Sequence, residues 1–250
     1  RTKGGLGVVC VVTCTIFGAI SGSASGAIAA IGSILIPEMT EQGYPRGYAT
    51  GLVATSSMLA LLIPPSIPMI AFAMTAQISI LSAFLSTLIP GLLMMTAYSL
   101  INIYLSRRMT GLSLAPRRSP GETFKQIAVS TRKASFALLM PVVVLGGIYG
   151  GIFTPTEAAA ISAIYAVIVG LVLYRAMTFK NMFGTIKTAM ITSGAIMILL
   201  FFILMVSRIM VTQQVPQHLT EAMFSITTNK WGVLLMLNVI LLLMGMLVDD

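Results

Sequence analysis

The amino-acid sequence predicts an all-α protein that crosses a membrane several times. Of its 250 residues, 57% are apolar and only 9% are charged, whereas a soluble domain carries about 25% charged residues. Several apolar segments reach or approach the roughly 20 residues that a helix needs to cross a bilayer. The alternating pattern of a membrane β-barrel is absent. The sequence therefore indicates a polytopic helical membrane protein.

Eight apolar segments follow one another along the chain. They occupy residues 4–20, 26–37, 48–74, 80–106, 134–151, 156–174, 188–210 and 232–248. Each is predicted to be helical, because backbone N–H and C=O groups in lipid must be satisfied within their own segment. Since the chain opens on Arg1 and stops directly after an apolar run, we interpret it as an internal fragment of a longer protein.

The basic residues assign sides to these segments. Seven of the 15 bases lie in residues 107–133 with the single acid Glu122, and Lys and Arg prefer cytoplasmic loops. Two spans later, residues 175–187 carry three more bases and also fall inside. Counting spans backwards places the N-terminal bases inside too, which leaves Arg208 and Lys230 near the outer face. The bases lack an aromatic platform, so the predicted partner is the lipid bilayer and not nucleic acid.

On this topology the first two apolar segments begin and end on the same side. Two full crossings or one re-entrant hairpin would satisfy this, whereas a single helix over residues 4–37 would be about 50 Å long. The link reads SGSAS at residues 21–25, without the charges of an aqueous loop. We expect a re-entrant hairpin tip at membrane depth, where irregular backbone is tolerated if it lines a cavity. A small-residue helix contact is the alternative.

A second interruption falls within residues 48–74. Pro64 and Pro65 remove backbone donors and disfavour helix before them, which predicts a broken helix. The freed carbonyls and nearby hydroxyls suit a small cation, and the following half-helix offers its N-terminus to an anion. Those hydroxyls belong to Thr55, Ser56, Ser57 and Ser66. A simple proline kink is the alternative.

Catalysis is not expected. His218 is the only histidine, so no His-based metal cluster or Ser-His-Asp triad can be assembled from this chain. Asp249 and Asp250 are adjacent and therefore point apart. Cys10 and Cys14 share one helix face without a paired metal-binding pattern, and packing is their expected role. Similarly, Thr154-Pro155-Thr156-Glu157 is expected to cap a helix, since it combines a proline at a helix start with an acid in the first turn.

Three long motifs carry a family resemblance. They read GAISGSASGAIAAIGSILIPEM at residues 18–39, ATSSMLALLIPPSIPM at 54–69 and GGIYGGIFTPTEAAAISAIYA at 146–166. In this order they resemble the large membrane subunit (DctM-like, M subunit) of tripartite ATP-independent periplasmic (TRAP) transporters. The shorter VPQHL at 215–219 and GMLVDD at 245–250 resemble the lead-in to that family's second hairpin.

The resemblance implies an inverted-repeat, elevator-type fold with two re-entrant hairpins. It implies import of an organic acid, such as a C4-dicarboxylate, sialic acid or a similar carboxylate, coupled to a sodium gradient. The implied partners are a small membrane subunit and a periplasmic substrate-binding protein, in the inner membrane of a bacterium or archaeon. No cofactor is expected besides the sodium coupling ion, and neither the transported acid nor sodium against proton coupling is decided.

Carried over residue by residue, the resemblance gives a hairpin tip at residues 21–25, an unwound helix over about 55–66 and the start of a second hairpin near 245–249. The implied ion- and substrate-binding residues are Ser21, Gly22, Ser23, Ser25, Thr55, Ser56, Ser57, Pro64, Pro65, Ser66, Gly245 and Asp249. Within this set, the expected sodium ligands are Ser21, Ser23, Ser57 and Pro64.

Four segments follow from these expectations. Residues 1–74 hold the first hairpin and broken helix, and 75–133 a spanning helix and a basic cytoplasmic arm. Residues 134–187 hold a scaffold-type helix pair and a second basic arm, and 188–250 a second-repeat helix and the start of the second hairpin. The alternative function is an ion-coupled anion carrier of related hairpin architecture without a binding protein. A channel would line several helices with polar rings, and a scaffold subunit would lack the breaks.

Overall fold

The computed structural model describes residues 3–113 and 120–247. Those residues form helices joined by short turns, with no strand in either range, which confirms the all-α prediction. The chain divides into two compact units, Arg1–Met182 and Phe183–Asp250.

The predicted polytopic character is also confirmed. In residues 3–113 and 120–247, four helices are long and apolar enough to cross a membrane: Ile80–Arg108, Gln126–Tyr149, Pro155–Leu173 and Phe179–Thr212. A bent pair, Arg46–Leu62 and Ile67–Thr75, makes a fifth candidate span with a 42° bend between its halves. Two further apolar helices are shorter, Gly5–Ser21 and Lys230–Met246.

The first two apolar segments form a helical hairpin. Helix α1 (Gly5–Ser21) ends at Gly22, whose positive φ of 61° favours glycine, and helix α2 (Ala24–Glu41) begins directly after Ser23. Only two residues link the helices, so their packing against each other is antiparallel. One buried cluster joins them and includes Cys10 and Cys14 of α1, which agrees with the packing role expected of both cysteines.

The break in the helix covers fewer residues than the sequence predicted. Helix α3 (Arg46–Ser57) includes Thr55, Ser56 and Ser57. Helix α4 (Leu59–Leu62) adds one turn, and α5 (Ile67–Thr75) follows the break. The unwinding expected from residue 55 is therefore confined to Met58 and residues 63–66. Prolines disturb only their own and the preceding turn, and the intervening leucines and alanine favour helix.

The start of the hairpin lies against the C-terminal end of helix α6 (Ile80–Arg108), and its end contacts the residues that follow α6. At the start of α1, Gly4 sits so close to α6 that a Cβ there would lie 3.1 Å from the Cβ of Ser106. At the end of α2, the carbonyl of Gln42 accepts a hydrogen bond from the N–H of Ser113 at 2.9 Å. The chain therefore returns to the side from which it entered.

The hairpin tip stops short of the far end of α6. The tip lies against the break, and residues Leu62 and Ile63 of the break lie against Gly91 of α6. At 1.5 Å per residue, Gly91 is about 25 Å from the Arg108 end of α6, and α1 itself is about 25 Å long. About 17 Å of α6 extends beyond the tip. This geometry fits the predicted re-entrant hairpin, and the depth of the tip in the membrane stays a prediction.

Two more helices complete the first unit. Helix α7 (Pro120–Tyr149) and helix α8 (Pro155–Ile168) pack beside each other, and a π-helical turn (Val169–Leu173) follows. A buried cluster joins them to α6 through Phe84, Val144, Ile148 and Ala158. Helix α8 begins with a capping box, in which Thr154 Oγ1 accepts from the Glu157 N–H at 3.3 Å and Glu157 Oε2 accepts from the Thr154 N–H at 2.8 Å. The expected cap is confirmed.

The second unit consists largely of exposed apolar helix. Helix α9 (Phe179–Thr212) is followed by α10 (Val215–Ile226) and α11 (Lys230–Leu247). None of the most apolar 18-residue window of α9 is buried within the structure. A helix that is apolar on all sides needs cover from lipid or from another protein.

The two basic arms that the sequence predicts at residues 117–133 and 176–187 are largely the first turns of longer helices in the described ranges. Residues 120–133 are the first turns of α7, and 179–187 are the first turns of α9, while 117–119 lie outside the described residues. Each arm runs into its apolar helix because no proline intervenes after Pro120 until Pro141, or anywhere between Phe179 and Thr212. Their location along the cytoplasmic interface stays a prediction.

Candidate functional site

The serines of the hairpin tip bond mainly to one another and to the tip backbone. Ser21 Oγ accepts a hydrogen bond from the Ser23 N–H at 3.3 Å. Ser23 Oγ accepts from the Gly26 N–H at 3.2 Å, which makes it the N-cap of α2, and lies 3.1 Å from Ser25 Oγ. These bonds satisfy N–H groups that a helix start leaves open. The tip hydroxyls thus hold the shape of the turn.

The hydroxyls at the break divide into two kinds. Thr55 Oγ1 donates to the Gly51 carbonyl at 2.9 Å, and Ser57 Oγ donates to the Ala54 carbonyl at 2.7 Å. Ser56 and Ser66 are only 0% and 2% exposed, and their Oγ atoms have no hydrogen-bond partner within residues 3–113 and 120–247. A buried polar atom without a partner costs about 1–3 kcal/mol. Such atoms need a partner, which a bound ion or an ordered water can supply.

The tip and the break are in direct contact. A Cβ at Gly22 would lie 2.5 Å from the carbonyl oxygen of Pro65, and one at Gly18 would lie 2.4 Å from Cα of Ala60. Both distances are too short for any side chain. Glycine at these two positions therefore lets the backbone of α1 rest on the broken helix.

Neutral oxygen dominates the chemistry of this contact. The acids of residues 4–74 are Glu38 and Glu41, both in the last turn of α2 at the base of the hairpin. Within the described part of the chain, no group of three or more His, Cys, Asp or Glu side chains could hold a metal. Hydroxyl and carbonyl oxygens are hard ligands that suit an alkali cation better than a transition metal.

The structure brings together part of the predicted site. Gly22 of the tip meets Pro65 and Ser66 of the break, and the ring of Pro64 is fully buried beside them. Gly245 lies on α11 in the second unit with open space around it, and Asp249 lies outside the described residues. Membership of these residues in one binding site stays a prediction.

Ser56 and Ser66, the two hydroxyls at the break without a partner in the described residues, belong to the ion- and substrate-binding set expected from the sequence but not to its narrower set of sodium ligands. Ser21, Ser23 and Ser57, the expected sodium ligands, all have partners in the protein. The sequence pattern does not distinguish Ser56 from Ser57, because whether a serine hydroxyl is hydrogen-bonded depends on which side chain reaches a backbone carbonyl in the folded protein. Asn102 is not among the residues expected from the sequence, although a lone amide in an apolar span is itself a signal of function.

Comparisons with known proteins agree on one family. The model of the family described as "Tripartite ATP-independent periplasmic transporter, DctM component" matches residues 1–250.

Curated relatives carry several substrate names. The isethionate TRAP transporter permease protein DctMQ of Oleidesulfovibrio alaskensis is 37% identical over 242 residues, 97% of this chain and 38% of that protein. The C4-dicarboxylate TRAP transporter large permease protein DctM of Pseudomonas aeruginosa is 36% identical over 97% of this chain and 56% of its own length. The ectoine TRAP transporter large permease protein TeaC of Halomonas elongata is 35% identical over 99% of this chain and 57% of its own length. The chain thus spans between about two-fifths and three-fifths of these relatives.

Proposed function

The chain belongs to the DctM component family of tripartite ATP-independent periplasmic transporters, and we propose that it forms part of the large permease subunit of a secondary transporter that imports a small organic acid. The observation that carries this proposal is the contact between the re-entrant tip and the broken helix. Irregular backbone of this kind within a membrane is tolerated where it lines a binding cavity.

The proposed coupling ion is sodium, bound between tip and break. Ser56 and Ser66 would supply hydroxyl oxygens, and the carbonyl of Pro65 faces the tip at Gly22. Ser21, Ser23, Ser57 and the carbonyl of Pro64 remain proposed ligands, since an oxygen has two lone pairs and one hydrogen bond accepted or donated leaves at least one of them for a cation.

The proposed substrate carries an acidic group. Ser66, the N-cap residue of helix α5, makes no side-chain cap bond, so the N–H groups of Ile67 and Met69 in the first turn could bind an anion, whereas Pro68 offers none. Relatives at 35–37% identity are named for isethionate, a C4-dicarboxylate and ectoine, so overall similarity does not select one acid. The proposal is therefore a small organic acid, with C4-dicarboxylates, sialic acid and similar carboxylates first in a panel.

The proposed setting is the inner membrane of a bacterium, with the hairpin open toward the cytoplasm. Its base adjoins the end of α6 that carries Arg107 and Arg108, and basic residues favour the inner side. A small membrane subunit would cover part of the exposed α9, and a periplasmic binding protein would deliver the substrate. An oppositely oriented second hairpin beginning near Gly245 and Asp249, and an elevator-type movement, complete the proposal.

Uptake into liposomes tests this function. The full-length permease, reconstituted with its small subunit, is supplied with labelled organic acids with and without an inward sodium gradient and a candidate binding protein. We expect accumulation of at least one acid only when both are present, with a potassium gradient as the control. Robust uptake without the binding protein would favour the alternative carrier, and uptake that ignores sodium would contradict the coupling ion.

A further inference from the structure

A buried amide joins three helices at the base of the hairpin. Asn102 of α6 is 1% exposed, and its Nδ2 donates to the carbonyl of Gly4 at the start of α1, at 2.8 Å. Its Oδ1 accepts from the hydroxyl of Tyr48 on α3 at 3.0 Å and from Ser106 Oγ at 3.4 Å. One side chain therefore ties the re-entrant hairpin to both the broken helix and α6.

The start of α1 is shaped to receive this amide. A Cβ at Gly7 would lie 2.1 Å from Asn102 Oδ1, so only glycine leaves space for the side chain. The carbonyl of Gly4 also accepts the first intrahelical bond of α1, from the Val8 N–H at 3.1 Å. Asn102 thus binds the second lone pair of a carbonyl that already belongs to the helix.

The position of this bond along α1 has a mechanical consequence. Helix α1 is seated at its base by Gly4 and Gly7 and at its tip by Gly18 and Gly22. An α-helix keeps its rise of about 1.5 Å per residue, so a displacement along its axis at the base moves the tip by the same amount. The amide at the base therefore fixes how the tip meets the break, about 25 Å away.

We propose that Asn102 is a positioning residue: through Gly4 it sets the axial position of α1, and so holds the hairpin tip closed over Ser66 at the break. The consequence for ion affinity rests on the proposed function, because it assumes that the coupling ion binds beneath the tip. A buried amide in an apolar span is costly unless its hydrogen bonds are used, and here every bond connects parts of the hairpin module, residues 3–113.

A cysteine reporter tests the position of the tip without reference to transport. Ser66→Cys is introduced into the full-length complex with Cys10→Ala and Cys14→Ala, and its rate of reaction with N-ethylmaleimide is measured. In Asn102→Ala we expect the reaction to be about fivefold faster, the change that the loss of one buried hydrogen bond makes in an equilibrium. Ser106→Ala, which removes only the weakest bond to the same amide, is the matched control and should react near the parental rate.

Gly7→Ala gives a second route to the same displacement. The added methyl improves helix propensity but must push the amide or α1 aside, so it should also accelerate the reaction even if Asn102→Ala does not fold. Rates that are unchanged in Asn102→Ala, or in Gly7→Ala when that alone is folded, would overturn the positioning role.

The sodium concentration for half-maximal uptake, measured with Ser66 restored, separates the two proposals. We expect it to rise about 2- to 10-fold in Asn102→Ala, whereas a purely stabilising residue would lower the amount of folded protein and leave it unchanged. If Asn102→Ala reacts faster with N-ethylmaleimide but uptake by the parent does not depend on sodium, the positioning role is supported and sodium coupling is contradicted. If uptake by the parent depends on sodium but the half-saturating sodium concentration is the same in Asn102→Ala and Gly7→Ala, the link between Asn102 and the ion site is overturned.

Discussion

The hairpin tip and the helix break carry the same kind of side chain but use it differently. At the tip, Ser21 and Ser23 are occupied by backbone N–H groups of the turn. At the break, Ser56 and Ser66 are more deeply buried and have no partner in the described residues. The tip hydroxyls are thus hydrogen-bonded within the fold, whereas two hydroxyls at the break are not.

This difference separates structural from functional polarity in a membrane protein. A hydroxyl that caps a helix stabilises the fold whether or not a ligand is present. A hydroxyl that is buried and unpaired destabilises the ligand-free protein, and a bound ion that pairs with it recovers that free energy. Substitutions at the two places should therefore have opposite effects on stability in the absence of sodium.

The largest effect is expected where the tip meets the break. Gly22→Ala forces a residue with a side chain into the left-handed region and places its Cβ 2.5 Å from the carbonyl oxygen of Pro65. We expect a loss of about 2 to 4 kcal/mol in the free energy of unfolding and no detectable uptake. Thermal unfolding of the purified complex and the liposome assay measure both.

A glycine elsewhere in the module controls for that substitution. Gly51 on α3 has open space where a Cβ would be, so Gly51→Ala should be neutral or stabilise by up to about 1 kcal/mol. Normal stability and uptake in Gly22→Ala would mean that the tip does not rest on the break.

A smaller effect is expected within the tip itself. Ser23→Ala removes the cap of α2 and should cost about 1 kcal/mol. If the hydroxyl is purely structural, the sodium concentration for half-maximal uptake stays within about twofold of the parent. Thr154→Ala, which removes an equivalent cap on α8, should match its loss of stability. A clear rise in the half-saturating concentration for Ser23→Ala alone would instead identify Ser23 as an ion ligand.

Most of the architecture could be predicted from the sequence because lipid leaves few options. The apolar runs, the uncharged link at residues 21–25 and the consecutive prolines at 64–65 each have one dominant physical consequence, and the structure has a helix pair or a break at each. The limits of the break were less predictable. Whether Thr55 and Ser57 unwind the helix or bond back to its carbonyls depends on rotamers, which composition does not determine.

The details of the site depend on contacts between distant residues. Ser56 is distinguished from Ser57 only by the surface that each meets after folding. Asn102 forms its hydrogen bonds with Gly4 and Tyr48, which lie 98 and 54 residues away in the chain. A single sequence contains no record of such pairings, so the base of the hairpin became visible only in the structure.

Thermal unfolding of Ser56→Ala and Ser66→Ala, with and without sodium, tests the central claim most directly. In the full-length complex we expect sodium, but not potassium, to raise the parental melting temperature, by an amount corresponding to about 2.7 kcal/mol at one hundred times the dissociation constant. Without sodium, both variants should melt above the parent because an unpaired buried hydroxyl is gone, and their response to sodium should be reduced. Ser57→Ala, whose hydroxyl bonds to Ala54, is the matched control and should gain no sodium-free stability. Variants that melt below the parent without sodium and respond to it fully would contradict an ion site at the break.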